Sequence, residues 1–391
     1  MTKRPIYMDH NATTPVDPRV VAAMLPCFGD SFGNPASNTH AFGWAAAKLV
    51  ERSRQALAAG IGAHDDEIVF TSGATESNNL AIKGVAWALR ERGRHLVTVA
   101  TEHKAVLDPC ARLEREGFTV TVIPVDGFGQ VDPSRFAAAL TPRTILASVM
   151  LANNEIGTLQ PIASLARLCH EHGVLLHCDA TQALGKIPVD VAALGADLYS
   201  FSAHKIYGPK GIGALVVRRR KPRLRLVPLL DGGGHENGMR SGTLNTPGIV
   251  GFARAIELCL AELPDQSVRL AALRARLRDA IMEPLPGVIE NGHPSDRLPN
   301  TLNLSFEGVD GAALLVALRE VAVASGSACT SADPRPSHVL AALGRPHQLA
   351  AASIRFSLGR TNTAEEVETV AAAVVRAVNR LRERSPLWRQ P

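Results

Sequence analysis

The stretch Asp197–Val217, "DLYSFSAHKIYGPKGIGALVV", contains two apolar runs separated by a polar turn with three glycines. Each run has the length and composition of a buried strand. Ser202, His204 and Lys205 follow directly after the first run. In an open α/β sheet, ligands bind outside the carboxyl ends of the strands. The stretch therefore predicts a sheet with a candidate binding site at one edge.

The same alternation of short apolar runs and longer helical patterns extends from about residue 36 to residue 260. Strands and helices that alternate in this way indicate a mainly parallel sheet covered by helices on both faces. We predict further strands at 67–72, 95–100, 119–125, 143–150 and 174–180, and helices at 36–61, 78–93, 104–117 and 164–173.

The pattern changes after Pro264. A long charged helix at 265–282 precedes separated strands at 301–306 and 353–358, and a helix at 364–384 ends the pattern. This order is typical of an α+β unit. We therefore predict an α/β fold with a large domain at 16–262 and a smaller α+β domain formed by 1–15 and 263–391.

Composition and charge limit the classes of function that we expect for the chain. The chain has 391 residues, of which 46% are apolar and 20% are charged, as in ordinary globular proteins. A net charge of +5 is too modest to indicate direct nucleic-acid binding. The sequence has no apolar leader and no run of eighteen apolar residues, so we expect a cytoplasmic protein that does not enter membranes.

The six cysteines are scattered without a CxxC pair, which suits neither a metal site nor a disulfide framework. One of them, Cys329, stands in "VASGSACTSADP" (323–334), among small and polar residues that offer little burial. Gly326 and the neighbouring Ser and Ala residues allow the backbone to move. A reactive thiol needs such access, whereas a structural thiol usually packs among apolar side chains.

Lys205 has two interpretations. It is either a solvated surface lysine or a Schiff-base lysine that carries pyridoxal phosphate (PLP). The second requires an acidic partner for the pyridinium nitrogen, and Asp179 ends the predicted strand at 174–180. Gln182, three residues later, is placed to donate to the ring hydroxyl oxygen. A strand-end aspartate that caps a turn is the plainer alternative.

Two further motifs meet the remaining needs of PLP. "TSGATESNNL" (71–80) places a glycine and Thr75 where a strand gives way to a helix, and a helix N-terminus attracts phosphate. "TEHKAV" (101–106) places His103 beyond another strand end, where its ring could stack on the cofactor. Each motif alone is also compatible with an ordinary cap or a structural histidine.

The chain resembles the cysteine desulfurases of the NifS/IscS type over about residues 5–380. The resemblance lies in "YMDHNATTPVDP", "TSGATESNN", "TEHKAV", "NNEIGTLQPI", "HCDATQALGK", "SFSAHKIYGPKGIG", "GGGHENGMRSGT", "SGSACTSA" and "IRFSLGRTNT", which occur in the family's order. It implies a PLP-dependent transferase of fold type I and a homodimer with active sites at the subunit interface.

The resemblance also assigns roles. Lys205, rather than Lys210, resembles the Schiff-base lysine, His103 the ring-stacking histidine and Asp179 the pyridinium partner. Asn154 and Arg355 resemble the residues that orient substrate, with Arg355 binding its carboxylate. The other implied cofactor contacts are Ala74, Thr75, Gln182, Ser202, His204 and, from the other subunit, Thr243.

The implied reaction removes sulfur from L-cysteine and leaves L-alanine. Cys329 would attack the substrate sulfur and carry it as a persulfide on a mobile loop at about 324–335. The expected recipient is an acceptor protein such as an iron–sulfur scaffold, or another thio-cofactor or tRNA thiolation pathway.

Two rival functions remain open from the sequence. One is another PLP enzyme of the same fold, such as an aminotransferase or a selenocysteine lyase. The other is a scaffold that uses the basic run "RRRKPRLR" (218–225) to hold RNA or an acidic protein. The plainer interpretation of that run is a solvated loop.

Overall fold

The computed structural model describes residues 4–219, 224–325, 337–386 and 388. Its strands are β1 (Ile6–Tyr7), β2 (Ile68–Thr71), β3 (His95–Val99), β4 (Thr119–Ile123), β5 (Thr144–Met150), β6 (Leu175–Asp179), β7 (Leu198–Ser202), β8 (Gly213–Val217), β9 (Val288–Asn291), β10 (Thr301–Phe306), β11 (Val321–Ala322), β12 (Ala324–Ser325) and β13 (Ser353–Ser357).

Among the described residues, we find no helix with both the length and the apolar composition that a membrane span requires.

The helices cover the sheets and connect the strands. The helices are α1 (Pro18–Met24), α2 (Ala41–Ile61), α3 (Ala74–Ala88), α4 (Lys104–Arg115), α5 (Pro133–Ala139), α6 (Ile162–Glu171), α7 (Val191–Leu194), α8 (Thr246–Met282), α9 (Gly311–Ala317), α10 (His338–Ala342), α11 (His347–Ala351) and α12 (Ala364–Arg382).

The larger sheet has seven strands in the order β2-β8-β7-β6-β5-β3-β4. β8 runs antiparallel to both neighbours, and all other pairs are parallel. The predicted α/β fold with a mainly parallel sheet is confirmed. Because β2, β5, β6 and β7 point the same way, the residues that follow them meet at one edge.

A second, antiparallel sheet has the order β12-β13-β10-β9. Its apolar side chains form a separate core with α9, α12 and the second half of α8, including Leu277, Phe306 and Phe356. The first half of α8 packs instead on the core of the large sheet, through Phe252 and Ile256. One helix therefore contributes to both cores.

The helix predicted at 265–282 does not begin after Pro264. α8 runs continuously through it for 37 residues. Proline removes one backbone hydrogen bond from a helix interior. Leu263 and Leu270 are buried on either side of it, so apolar packing offsets that loss. The predicted domain boundary at 262 and 263 falls inside this helix and stays a prediction.

The N-terminal segment joins the second core although it lies far from it in sequence. β1 pairs in parallel with β11, and Met8 is fully buried in the second core. The N–H of His10 then donates to the carbonyl of Ser357 in β13. The segment that follows, Asn11–Thr13, passes from there to the edge of the large sheet.

Candidate active site

A cleft of about 510 Å³ opens at the carboxyl ends of β2, β5, β6 and β7. The N-terminal segment Asn11–Thr13 and one side chain of β13 close its far side. Ten of the residues predicted from the sequence line this single cleft: Ala74, Thr75, His103, Asn154, Asp179, Gln182, Ser202, His204, Lys205 and Arg355.

Lys205 follows β7 in a short 3-10 turn, Ala203–Lys205. Its side chain is half-buried, and its Nζ donates to the carbonyl oxygens of Asn11 at 2.5 Å and Ala12 at 2.8 Å. The amine is thus held at the wall of the cleft by backbone acceptors. Lys210 also lines the cleft, but it is exposed.

Asp179 is the last residue of β6 and is 7% exposed. Its Oδ2 accepts a hydrogen bond from Asn78 Nδ2 at 2.7 Å, and its Oδ1 accepts one from the N–H of Thr181 at 3.0 Å. Two donors therefore fix the plane of the carboxylate. Each carboxylate oxygen can accept a second bond, so capacity remains for a ring N–H.

The N-terminus of α3 forms an anion site directly after β2. Ala74 and Thr75 are its first residues and line the cleft. The first N–H groups of a helix have no partner within the helix and attract phosphate. Glu76 Oε2 accepts from the N–H of Ser72 at 2.8 Å, and Glu76 Oε1 accepts from Arg240 Nε at 2.8 Å, so the turn is fixed from outside.

A glycine in the neighbouring strand makes room for this turn. A Cβ on Gly213, the first residue of β8, would lie 2.5 Å from the carbonyl oxygen of Phe201 and 2.6 Å from Gly73 Cα. No side chain fits in that space. Gly213 therefore lets β8 pass beside the turn that begins α3.

His204 and Ser202 line the same cleft as the anion site. His204 Nδ1 lies 3.1 Å from the hydroxyl of Thr13. Burial, and then the charges of Lys205 and Lys210, lower the pKa of His204 to about 4. The ring is therefore neutral at physiological pH and contributes a hydrogen-bonding group rather than a charge.

His103 caps the N-terminus of α4. Its Nδ1 accepts a hydrogen bond from the N–H of Ala105 at 3.0 Å. Burial lowers its pKa, and the nearby charge of Asp179 only partly opposes this shift. A neutral ring whose Nδ1 accepts carries its proton on Nε2. The side chain thus presents a defined tautomer at the cleft.

Arg355 lies in β13 and is 2% exposed. Its Nη1 donates to the carbonyl of Asn154 at 3.0 Å, and its Nη2 donates to Asp9 Oδ1 at 2.6 Å. Its buried Nε has no hydrogen-bond partner among the described residues. The guanidinium is held rigidly at the cleft with unused donors, which suits a substrate carboxylate.

The remaining two predicted site residues differ from these ten. Thr243 is exposed and does not line the cleft. Cys329 lies outside the described residues; Ser325 of β12 precedes that gap, and Ser337 follows it. Ser337 Oγ donates to the buried carboxylate of Glu155, next to Asn154.

Comparison with known proteins agrees with the sequence motifs. Residues 6–370 match the family described as aminotransferase class-V. The chain is 56% identical to "Cysteine desulfurase IscS" of Anaeromyxobacter dehalogenans (strain 2CP-C), over 99% of this chain and 95% of that protein. The chain belongs to the class-V aminotransferase family, among its cysteine desulfurases.

Two solved structures extend the likeness to three dimensions. The structure of a "NIFS-LIKE PROTEIN" has a TM-score of 0.89 and 38% identity, and covers 96% of this chain and 100% of its own. The structure of "SspA in complex with cysteine" has a TM-score of 0.81 and 38% identity, covering 90% of this chain and 98% of its own. Both identities are high enough to support family membership as well as fold.

Proteins of this class-V family use PLP, and the donor set of the cleft fits that cofactor. Asp179 offers a buried carboxylate for the ring nitrogen, Lys205 an amine, and α3 an N-terminus for the phosphate. Asn78 Oδ1 is buried without a partner among the described residues, at the same wall of the cleft. The chain can therefore hold each part of PLP with a group of matching chemistry.

Sequence reasoning missed several residues that build this desulfurase cleft. Asn78 orients Asp179, and Lys186 donates to Gln182 Oε1 and Asn11 Oδ1. Asn78 follows Ala74 by four residues, so the helical period could have placed it on the inward face of α3. No local pattern marks Lys186, because a lysine is rarely buried.

Proposed function

We propose that the chain removes sulfur from L-cysteine, leaves L-alanine, and carries the sulfur as a persulfide on Cys329. The observation that carries this proposal is that Lys205 and Arg355 line one cleft. An amine that binds PLP and a guanidinium that binds a carboxylate together select an α-amino acid. The similar protein SspA has been solved in complex with cysteine, which supports the choice of amino acid.

The residues of the cleft divide the work of proton transfer. When bound, PLP supplies an electron sink that weakens the Cα–H bond of an amino acid. With PLP bound, the amine of Lys205 would be the base in the cleft that takes the Cα proton. His103 is neutral with its proton on Nε2 and lines the same cleft, where it assists proton transfer. Arg355 keeps the substrate carboxylate in place during both steps.

Sulfur transfer requires a nucleophile, and we assign Cys329 to this role. Its thiolate attacks the substrate sulfur, so that an S–S bond forms and the C–S bond breaks. The electron pair of the C–S bond returns to the substrate, where a proton completes alanine. The five cysteines within the described residues are buried free thiols, so none of them competes for this role.

We propose that the enzyme is a homodimer in which Thr243 completes the partner's phosphate site. Thr243 is exposed on its own chain and does not line its cleft. Phe28, Phe32, Phe42 and Trp44 are each more than half exposed, and the rings of Phe32 and Phe42 lie 5.3 Å apart. An exposed aromatic patch of this kind is typical of a protein interface, and a second copy is the proposed occupant.

We propose that the recipient of the sulfur is an acceptor protein, such as an iron–sulfur scaffold, in the cytoplasm. The free thiols of the described cysteines suit a reducing compartment.

The first two arginines of the basic run at 218–225 form ion pairs within the chain. Arg218 pairs with Glu67, and Arg219 pairs with Asp66, so these two arginines are already bound to carboxylates of their own chain.

The proposed reaction is tested with PLP-loaded protein, L-cysteine and a small-thiol reductant. We expect alanine and released sulfide in equal amounts, because one of each forms per turnover. Lys205→Ala serves as the inactive control. A keto acid in place of alanine, or no product from the loaded wild type, would contradict the proposal.

A further inference from the structure

Lys186 is a buried lysine directly behind the cleft. It is 8% exposed and does not line the cleft itself. Together with Lys205 it lines a small cavity of about 30 Å³ on the other side of the wall. A buried amine costs free energy unless it is hydrogen-bonded. The groups that accept hydrogen bonds from Lys186 therefore indicate its role.

The Lys186 amine has two acceptors. Its Nζ donates to Gln182 Oε1 at 2.5 Å and to Asn11 Oδ1 at 2.9 Å. Burial, followed by the charges of Lys205 and Arg355, lowers the pKa of Lys186 well below its ordinary value. This shift favours the neutral amine, whose two N–H groups match the two acceptors.

The contacts with Asn11 and Lys186 together decide which way the Gln182 amide points. The carbonyl oxygen of Asn11 can only accept, so the amide nitrogen must face it, and the amide oxygen accepts from the Lys186 amine. Gln182 Nε2 then donates one N–H to the carbonyl of Asn11 at 2.9 Å. Its second N–H remains for an acceptor in the cleft, which Gln182 lines.

Asn11 connects Gln182 and Lys186 to Lys205 by hydrogen bonds. Its carbonyl oxygen accepts from both Lys205 Nζ and Gln182 Nε2. Its side-chain oxygen accepts from Lys186 and from Asn300 Nδ2 at 3.1 Å. Asn11 is 1% exposed, so these bonds form away from water.

The side-chain nitrogen of Asn11 fixes it from the other direction. It donates to the carbonyl of Asn154 at 3.1 Å and to the hydroxyl of Thr301 at 2.8 Å. Every polar atom of Asn11 is therefore used. A residue bound on all sides places its carbonyl oxygen at one defined position.

We propose that Lys186 is a positioning residue for the cofactor. It holds the Gln182 amide so that the second N–H of that amide would be available to the ring oxygen of PLP in the cleft. This inference rests on the proposed function, because it assumes that PLP occupies the cleft.

The test is a double-mutant cycle on the dissociation constant of PLP, measured by absorbance. Lys186→Met removes both donors and keeps an unbranched side chain, whereas Gln182→Leu removes the amide. We expect Lys186→Met to weaken PLP binding about tenfold, the effect of one good hydrogen bond. If Lys186 acts through Gln182, the double variant should bind PLP no more weakly than Gln182→Leu alone.

Lys83→Met, a half-buried lysine of α3 outside the cleft, is the matched control and should leave PLP affinity unchanged. Lys186→Gln retains a donor and should recover most of the affinity. If Lys186→Met does not fold, Lys186→Leu, which also removes both donors, takes its place in the cycle. Additive losses from Lys186 and Gln182 would overturn the inference. Failure of the wild type to bind PLP would instead overturn the proposed function.

Discussion

Arg355 Nη2 lies 2.6 Å from Asp9 Oδ1, so the arginine that faces the cleft already has a carboxylate partner in its own chain. Asp9 follows β1, whereas Arg355 lies in β13. The pair holds the guanidinium in one orientation, and the unused Nε and remaining N–H groups stay available. Under the proposed function, the substrate carboxylate would meet a pre-oriented arginine rather than a free one.

Arg355→Ala should weaken the use of L-cysteine mainly through KM. Loss of a charge-assisted contact costs about 1.5–3 kcal/mol, which lowers kcat/KM about 10- to 150-fold. Steady-state alanine formation at varied cysteine concentration measures this change. The paired variant Asp9→Asn/Arg355→Ala removes the carboxylate left without its partner, and so separates lost stability from lost substrate binding. An unchanged kcat/KM would exclude Arg355 from the substrate site.

Lys205→Ala should abolish both turnover and covalent attachment of PLP. Its amine is held at the cleft wall by the carbonyls of Asn11 and Ala12, a position that Lys186 and Lys210 do not share. Borohydride reduction makes a lysine–PLP linkage permanent, and intact-mass analysis then detects it. A full PLP adduct on the variant would show that another lysine carries the cofactor.

Cys329→Ser should separate cofactor chemistry from sulfur transfer. A hydroxyl is a far poorer nucleophile than a thiolate toward sulfur, whereas PLP binding does not use this side chain. The variant should fold, bind PLP and change its absorbance when cysteine is added, yet release little alanine and carry no persulfide. Cys27→Ser, at a buried cysteine, is the matched control. Alanine release from Cys329→Ser at the wild-type rate would disprove the role of Cys329.

His10 should make the fold sensitive to acid. Burial lowers its pKa to about 4, from about 6.5 in an unfolded chain. The unfolded state therefore binds the proton first, and stability is lost as the pH falls from 6.5 towards 4. Between pH 7 and pH 5 this one group removes about 2 kcal/mol of the free energy of unfolding.

The acid sensitivity is tested with His10→Phe, which keeps an aromatic ring beside Tyr7. Urea unfolding at pH 7 and pH 5 should show a smaller difference between the two pH values for the variant than for the wild type. The exposed His347→Phe should behave like the wild type. Glu155 affects stability in the opposite direction. Burial raises its pKa to about 7, so the stability contributed by its protonated form is lost as the pH rises towards 7.

The sequence predicted the strands of the large sheet well, because each is a short, apolar run. β5 and β6, for example, lie within one residue of the predicted bounds. It missed the two-residue strands β11 and β12, which are too short to show a period. It also placed a helix start after Pro264, since tertiary packing on both sides of that residue cannot be deduced from local pattern.

In the candidate site, too, residues marked by a local sequence pattern were predictable, whereas residues placed by long-range contacts were not. Asp179 and Lys205 follow strands, so their common edge was predictable from the alternation of elements. Asn11 was not assigned a role, because its partners Asn154, Thr301 and Ser357 come from distant parts of the chain. Long-range hydrogen bonds of this kind leave no periodic signal in the sequence.

The bond from the N–H of Asn11 to the hydroxyl of Ser357 spans 346 positions of the chain, and this has a consequence for biosynthesis. A nascent polypeptide leaves the ribosome from its N-terminus, at about 5–20 residues per second. The carbonyl that receives Lys205 therefore lacks its support for roughly 17–70 s after Asn11 is made. The large sheet can form during that time, but the cleft cannot close until β13 has been synthesised. Translation that stops before β13 would release a polypeptide without a working site.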